Sequence, residues 1–104
     1  MVTKINNTNF DGFISEGVSF IQVSTEWCGP CKALTPIVES FSQQPEVVSV
    51  KFGKIDADES GEIARKLGVR SVPALFVYKN GEVVEQGVGM RSKEQLLQMI
   101  QPHM

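Results

Sequence analysis

The residues of this chain best suited to chemistry are its two cysteines. Cys28 and Cys31 lie within the stretch Trp27-Cys28-Gly29-Pro30-Cys31-Lys32, and there are no other thiols. A disulfide between them closes almost no loop, so it constrains the unfolded chain little and is not a structural staple. A zinc site usually takes four ligands. The only histidine is the penultimate residue, His103, and there is no second cysteine pair, so no metal is expected. The spacing suits thiol–disulfide exchange. Pro30 fits the first helical position, where a backbone N–H is not needed. Cys28 then stands just before a helix, where free N–H groups and the helix dipole favour a thiolate. Cys31, one turn further on, is close enough to attack a mixed disulfide formed at Cys28.

The elements that must hold this pair can be read from periodicity. Val2 to Ile5 is a short strand candidate, and Thr8 is placed to cap a helix carrying Phe10, Phe13 and Ile14 that Gly17 ends. Val18 to Thr25 is a β-branched run with apolar residues on both faces, as in a central strand covered on both sides. From Pro30 onward Leu34, Ile37, Val38 and Phe41 recur with helical spacing, Pro36 should kink this helix, and Pro45 marks its end. Val47 to Ile55 is the next strand. The acidic segment Asp56 to Glu59 suits the start of a short helix whose inner face is Ile63, Ala64 and Leu67 and whose cap is Gly68. Ala74 to Tyr78 is a strand, Asn80-Gly81 signals a type I′ hairpin into Val83 to Val88, and Ser92 with Gln95 forms a capping box before Leu96, Leu97 and Ile100. The order β-α-β-α-β-α-β-β-α, without a long linker, predicts one α/β domain over residues 1–104 with a mixed sheet and helices on both faces.

Composition removes several classes of function. A hydrophobic fraction of 41% and a charged fraction of 21% are ordinary for a globular domain of 104 residues, and repeats and low-complexity tracts are absent. Ten basic against twelve acidic residues leave a net charge of −2, without the basic excess of a nucleic-acid module. No apolar run is long enough to span a bilayer, and Met1 to Asn6 lacks the basic-then-apolar order of an export signal, so a cytoplasmic location is expected.

Taken with the β-α-β setting, Trp27-Cys28-Gly29-Pro30-Cys31-Lys32 resembles the redox signature of the thioredoxin family without change. The resemblance covers nearly the whole chain: Pro36 matches the family's helix proline, Val72-Pro73 the dipeptide before the fourth strand, and Lys79-Asn80-Gly81 and Val88-Gly89 the later hairpin and loop. It implies a thioredoxin fold, a central mixed five-stranded sheet flanked by four helices. It also implies a protein-disulfide reductase in which Cys28 attacks a partner disulfide and Cys31 resolves the intermediate. Pro73 would follow a cis peptide bond that turns the backbone of Val72 toward Cys28, so that an extended substrate segment could pair with it. Trp27, Gly29, Pro30, Val88 and Gly89 would complete a shallow docking surface. The implied partners are disulfide-containing proteins and a thioredoxin reductase that uses NADPH, with no cofactor bound to this chain, which is expected to be a monomer.

The chain also departs from the family. Gln22 stands where the second strand usually carries a buried aspartate that assists the resolving thiol, and Phe52 where a companion lysine often sits. Both members of a buried charge pair are thus expected to be missing, which costs less than losing one. Ser24 takes a place where many members have tryptophan. Gln22, as a buried polar group, needs partners. Asp56 and Asp58 read as helix-start charges, with Asp56 a modulating group at most. Lys32 reads as a solvated helix residue with a mild effect on Cys28, and Met90, Met99 and Met104 as packing or tail residues. Two other readings of the fold stand beside the reductase: a non-redox binding subunit of a larger complex, and a thiol oxidant or isomerase. Gly29-Pro30 between the cysteines favours the reductant by resemblance, since oxidants of the superfamily usually carry histidine there.

Overall fold

The central strand, β2 (Val18–Ser24), is buried at all seven positions, its apolar residues Val18, Phe20, Ile21 and Val23 falling on both faces, as in a strand covered on both sides. The computed structural model describes all 104 residues. Around β2 the chain builds β1 (Val2–Ile5), α1 (Phe10–Ile14), α2 (Gly29–Ser42), β3 (Lys51–Asp56), α3 (Gly61–Lys66), β4 (Ala74–Lys79), β5 (Glu82–Val88) and α4 (Lys93–Ile100). The strands are ordered β1-β3-β2-β4-β5. The first three run parallel, and β4 and β5 are antiparallel to their neighbours.

Alternation along the strands divides the interior into two layers. On one face Phe20, Phe52, Leu75 and Val77 pack under α2 and α4, which contribute Leu34, Val38, Phe41, Leu96 and Ile100. The Phe52 ring lies 5.7 Å from that of Phe20 and meets Phe41 edge-on at 5.8 Å. On the other face Ile21, Val23, Ile55 and Phe76 are covered by α1 and α3 through Ile14, Ile63 and Ala64. The hairpin between β4 and β5 has positive φ at both Asn80 and Gly81, as a type I′ turn demands. The capping box of α4 is complete: Ser92 Oγ accepts from the Gln95 N–H, and Gln95 Oε1 accepts from the Ser92 N–H.

Four local expectations are corrected. Thr8 does not cap α1; Asn6 and Asn9 organise that turn, with Asn6 Oδ1 accepting from the N–H groups of Thr8 and Asn9. An Asx turn competes directly with a Thr cap, because both use the same local donors. Residues 47–50 are not strand. Pro45 starts a one-turn 3-10 helix, Pro45–Val47, and β3 begins only at Lys51. Asp56 ends β3 instead of starting α3: its Oδ1 accepts from the Asp58 N–H at 2.8 Å, which forms a turn before Gly61. Pro30 is the second helical residue of α2, because Gly29 is already helical.

Candidate active site

The cysteine loop leaves the carboxyl end of β2 and enters α2 directly, and in an open α/β sheet functional groups collect at that edge. Cys28 is the N-cap of α2, with extended backbone, and its Sγ accepts the Cys31 N–H at 3.0 Å. The sulfur thus does what a Ser or Asp side chain does at other helix starts: it satisfies a free donor at the positive end of the dipole. A thiolate at this position would gain most from that donor. The two cysteines form a disulfide with Cα atoms 5.2 Å apart. They are unequally accessible. Cys31 is 2% exposed, Cys28 is half-buried, and Gly29 and Pro30 are exposed beside it.

Trp27 is 86% exposed, which no core role explains. Val88 is exposed at the end of β5. The Val72–Pro73 bond is cis, and Pro73 itself is buried. Register places this bond at the same edge of the sheet as the cysteine loop, since Ala74 pairs with Val23 near the end of β2. Pro73 O accepts the Gly89 N–H at 2.9 Å, so the two loops are hydrogen-bonded to each other; Gly89 has φ +96°, a conformation glycine adopts without strain. Lys32 is exposed on α2.

Near Cys31 lie the two positions where the family's charge pair is expected to be missing. Gln22 is 1% exposed, and Phe52 belongs to the aromatic core. Yet a lysine is present. Gln22 pairs in register with Lys54 on β3, two residues beyond Phe52 and on the same face of the sheet. The buried charge pair is absent, as expected: position 22 is an amide and position 52 an aromatic ring, while Lys54, opposite Gln22 in register, is only half-buried. Gln22 Nε2 reaches Thr35 Oγ1 at 3.5 Å, a long contact, and Thr35 Oγ1 donates to the Cys31 carbonyl at 2.9 Å. A small cavity of about 160 Å³ opens beside them, lined by Cys31, Thr35, Lys54, Asp56, Ser24 and Glu26. On the same face Lys4 bonds Glu59 at 2.8 Å, and that hydrogen bond and charge hold the Lys4 ammonium above its usual titration range.

Sequence reasoning missed Thr35 and Lys54. Thr35 was legible only as a hydroxyl one helical turn after Cys31, where i−4 back-bonding is common. Lys54 required the parallel register of β2 and β3, which no local pattern displays. No group of three or more His, Cys, Asp or Glu side chains is placed to hold a metal ion, and no helix is long and apolar enough to cross a membrane.

Comparison with known proteins agrees with this geometry. The chain is 41% identical over 103 residues to a thioredoxin of Chlamydia caviae, covering 99% of each chain. It is also 41% identical to a thioredoxin of Bacillus subtilis, covering 99% of this chain and 98% of the relative. Among solved structures, the thioredoxin of Malassezia sympodialis superposes with a TM-score of 0.89 at 33% identity, covering 98% of this chain and 92% of that one. The thioredoxin family model matches residues 1–102, and with its Cys28–Cys31 redox pair at the helix start the chain belongs to the thioredoxin family, acting as a protein-disulfide reductase.

Proposed function

We propose that this chain is a general dithiol electron carrier of the cytoplasm, acting as a monomer on disulfide-containing proteins and recycled by a thioredoxin reductase at the expense of NADPH. The observation that carries the division of labour is the capping bond from the Cys31 N–H to Cys28 Sγ, together with the burial of Cys31. In the reduced form the Cys28 thiolate attacks one sulfur of a substrate disulfide. The substrate S–S bond breaks, the leaving sulfur takes up a proton, and a mixed disulfide forms at Cys28. Cys31 then loses its proton and attacks Cys28 Sγ. The second substrate thiol is released, and the pair is left oxidised as Cys28–Cys31. Two electrons have moved to the substrate, the proton lost by Cys31 and one from solvent complete its two thiols, and two electrons from the reductase with protons from solvent restore the reduced pair.

Trp27, Gly29 and Pro30, with Val72-Pro73 and Val88-Gly89, form the docking surface for an extended segment of the substrate. The exposure of Trp27 and Val88 supports this reading, as does their shared edge of the sheet. Gln22, Lys32 and Asp56 modulate the thiols and do not carry the reaction. The test is NADPH consumption by a bacterial thioredoxin reductase with insulin as acceptor, run beside a Cys31→Ser variant. Sustained turnover by the native chain and a trapped, mass-shifted adduct at Cys28 in the variant are expected. No turnover with several reductases would overturn the recycling partner, and the absence of an adduct at Cys28 in the variant would overturn the assignment of roles.

A further inference from the structure

Arg91 follows the docking loop and makes no ion pair with any carboxylate. Its Nη1 donates instead to three consecutive main-chain carbonyls, those of Val88 at 3.0 Å, Gly89 at 3.4 Å and Met90 at 2.9 Å. Three carbonyl dipoles turned toward one point create a negative spot that a cation offsets; the two N–H groups of Nη1 serve Val88 O and Met90 O, with Gly89 O as the longer, shared contact. The same side chain lies across β5 at Gly87. A Cβ built on Gly87 would stand 2.5 Å from Arg91 Nη2. Gly87 has no positive φ that would explain the glycine, so its missing side chain is used by the guanidinium. On the opposite side of the loop the Gly89 N–H is held by Pro73 O. The loop is thus fixed from two directions, by the cis-proline segment and by Arg91.

We propose that Arg91, seated over Gly87, is the positioning residue that presents the Val88–Gly89 loop to protein substrates. This rests on the reading of that loop as part of the docking surface. Arg91 touches no sulfur and acts through the loop, so its contribution scales with how much of the substrate the loop contacts. A protein disulfide depends on it; a small disulfide that reaches only Cys28 depends on it little.

The experiment compares insulin with cystamine as disulfide acceptors for the native chain, Arg91→Ala, Arg91→Lys, Gly87→Ala and the Gly87→Ala/Arg91→Ala double variant. Losing charge-assisted bonds to an exposed loop is expected to lower kcat/KM for insulin by about three- to tenfold in Arg91→Ala. The insulin-to-cystamine ratio falls with it, Arg91→Lys recovers much of the loss, and amide exchange of the Gly89 N–H accelerates. Gly87→Ala evicts only the tip of a flexible side chain, so it folds and shifts the ratio in the same direction, and the double variant is no worse than Arg91→Ala. An unchanged ratio, an equal loss on both substrates, or additive losses in the double variant would each overturn the assignment. If instead the native chain fails on insulin, the reading of the docking surface fails, while the exchange of Gly89 still reports on whether Arg91 holds the loop.

Discussion

Gln22 and Lys54 stand opposite each other in the register of the adjacent parallel strands β2 and β3, a buried amide paired with a half-exposed lysine that lines the same small cavity as Cys31. The usual family arrangement puts a carboxylate at the first of these positions. Here nothing at that position can take the Cys31 proton, yet a cation remains on the same face to favour whatever negative charge forms nearby. The position opposite that lysine has no base, and the lysine itself is half-exposed.

This relationship makes Gln22→Asp informative. At 1% exposure, desolvation of the new carboxylate outweighs the pull of a half-exposed lysine, so its folded pKa rises above the unfolded value. A group raised in the folded state contributes stability below its unfolded pKa and loses it as pH climbs through the folded one. The variant should therefore come closest to the native chain near pH 4 and fall behind toward pH 8, by about 1.4 kcal/mol for every tenfold difference between the folded and unfolded acid constants. Urea unfolding across that range reads the gap, and a constant gap would contradict the argument. The same carboxylate should speed release of the mixed disulfide. Unchanged thiol titrations and exchange rate would show that the missing base is irrelevant.

Phe52→Lys, which restores the family's more usual lysine, should fail structurally. Phe52 is 3% exposed and packed against two phenylalanine rings. Removing such an aromatic costs about 3–5 kcal/mol even without adding a charge. A loss of at least about 4 kcal/mol in denaturant midpoint analysis is expected, because the charge adds to the lost packing. A near-neutral result would mean that Lys54 and residue 52 can exchange roles.

Trp27→Ala separates function from stability. A side chain so exposed contributes within about 0.5 kcal/mol to folding. Its loss should leave the melting temperature nearly unchanged while lowering kcat/KM for insulin. A marked fall in stability with unaltered insulin kinetics would place Trp27 in a structural role after all.

Tyr78 supplies an alkaline test of the second core layer. Burial pushes its phenol up to about 12, and its ring meets Phe10 edge-on at 5.8 Å. Because the folded pKa is raised, the associated stability is intact below about pH 10 and lost as pH rises through about 12. Tyr78→Phe should flatten the decline between those values in unfolding experiments. An unaltered decline would move its cause to the lysines.

How far the sequence carried these conclusions depended on whether a feature was local. The cysteine pair, the hairpin at Asn80-Gly81 and the Ser92–Gln95 box are each written in a few adjacent residues, and each formed as read. Those local signals together with the family motif were enough for the fold class. Boundaries failed where two local devices competed, as with Asn6 and Thr8, or where proline imposed a turn on a strand-like run, as at Pro45. Lys54 and Arg91 were illegible for a different reason. Their roles exist only through partners set by strand register and by the path of a loop, and no periodicity records either.

The most direct measurement is the equilibrium reduction potential of the Cys28–Cys31 couple in dithiol buffers. A value at or below the glutathione poise of the cytosol, about −220 mV or lower, is expected of a dithiol that reduces ordinary protein disulfides. A value well above that poise would make the chain an oxidant or isomerase despite Gly29-Pro30, and would contradict the reductase account.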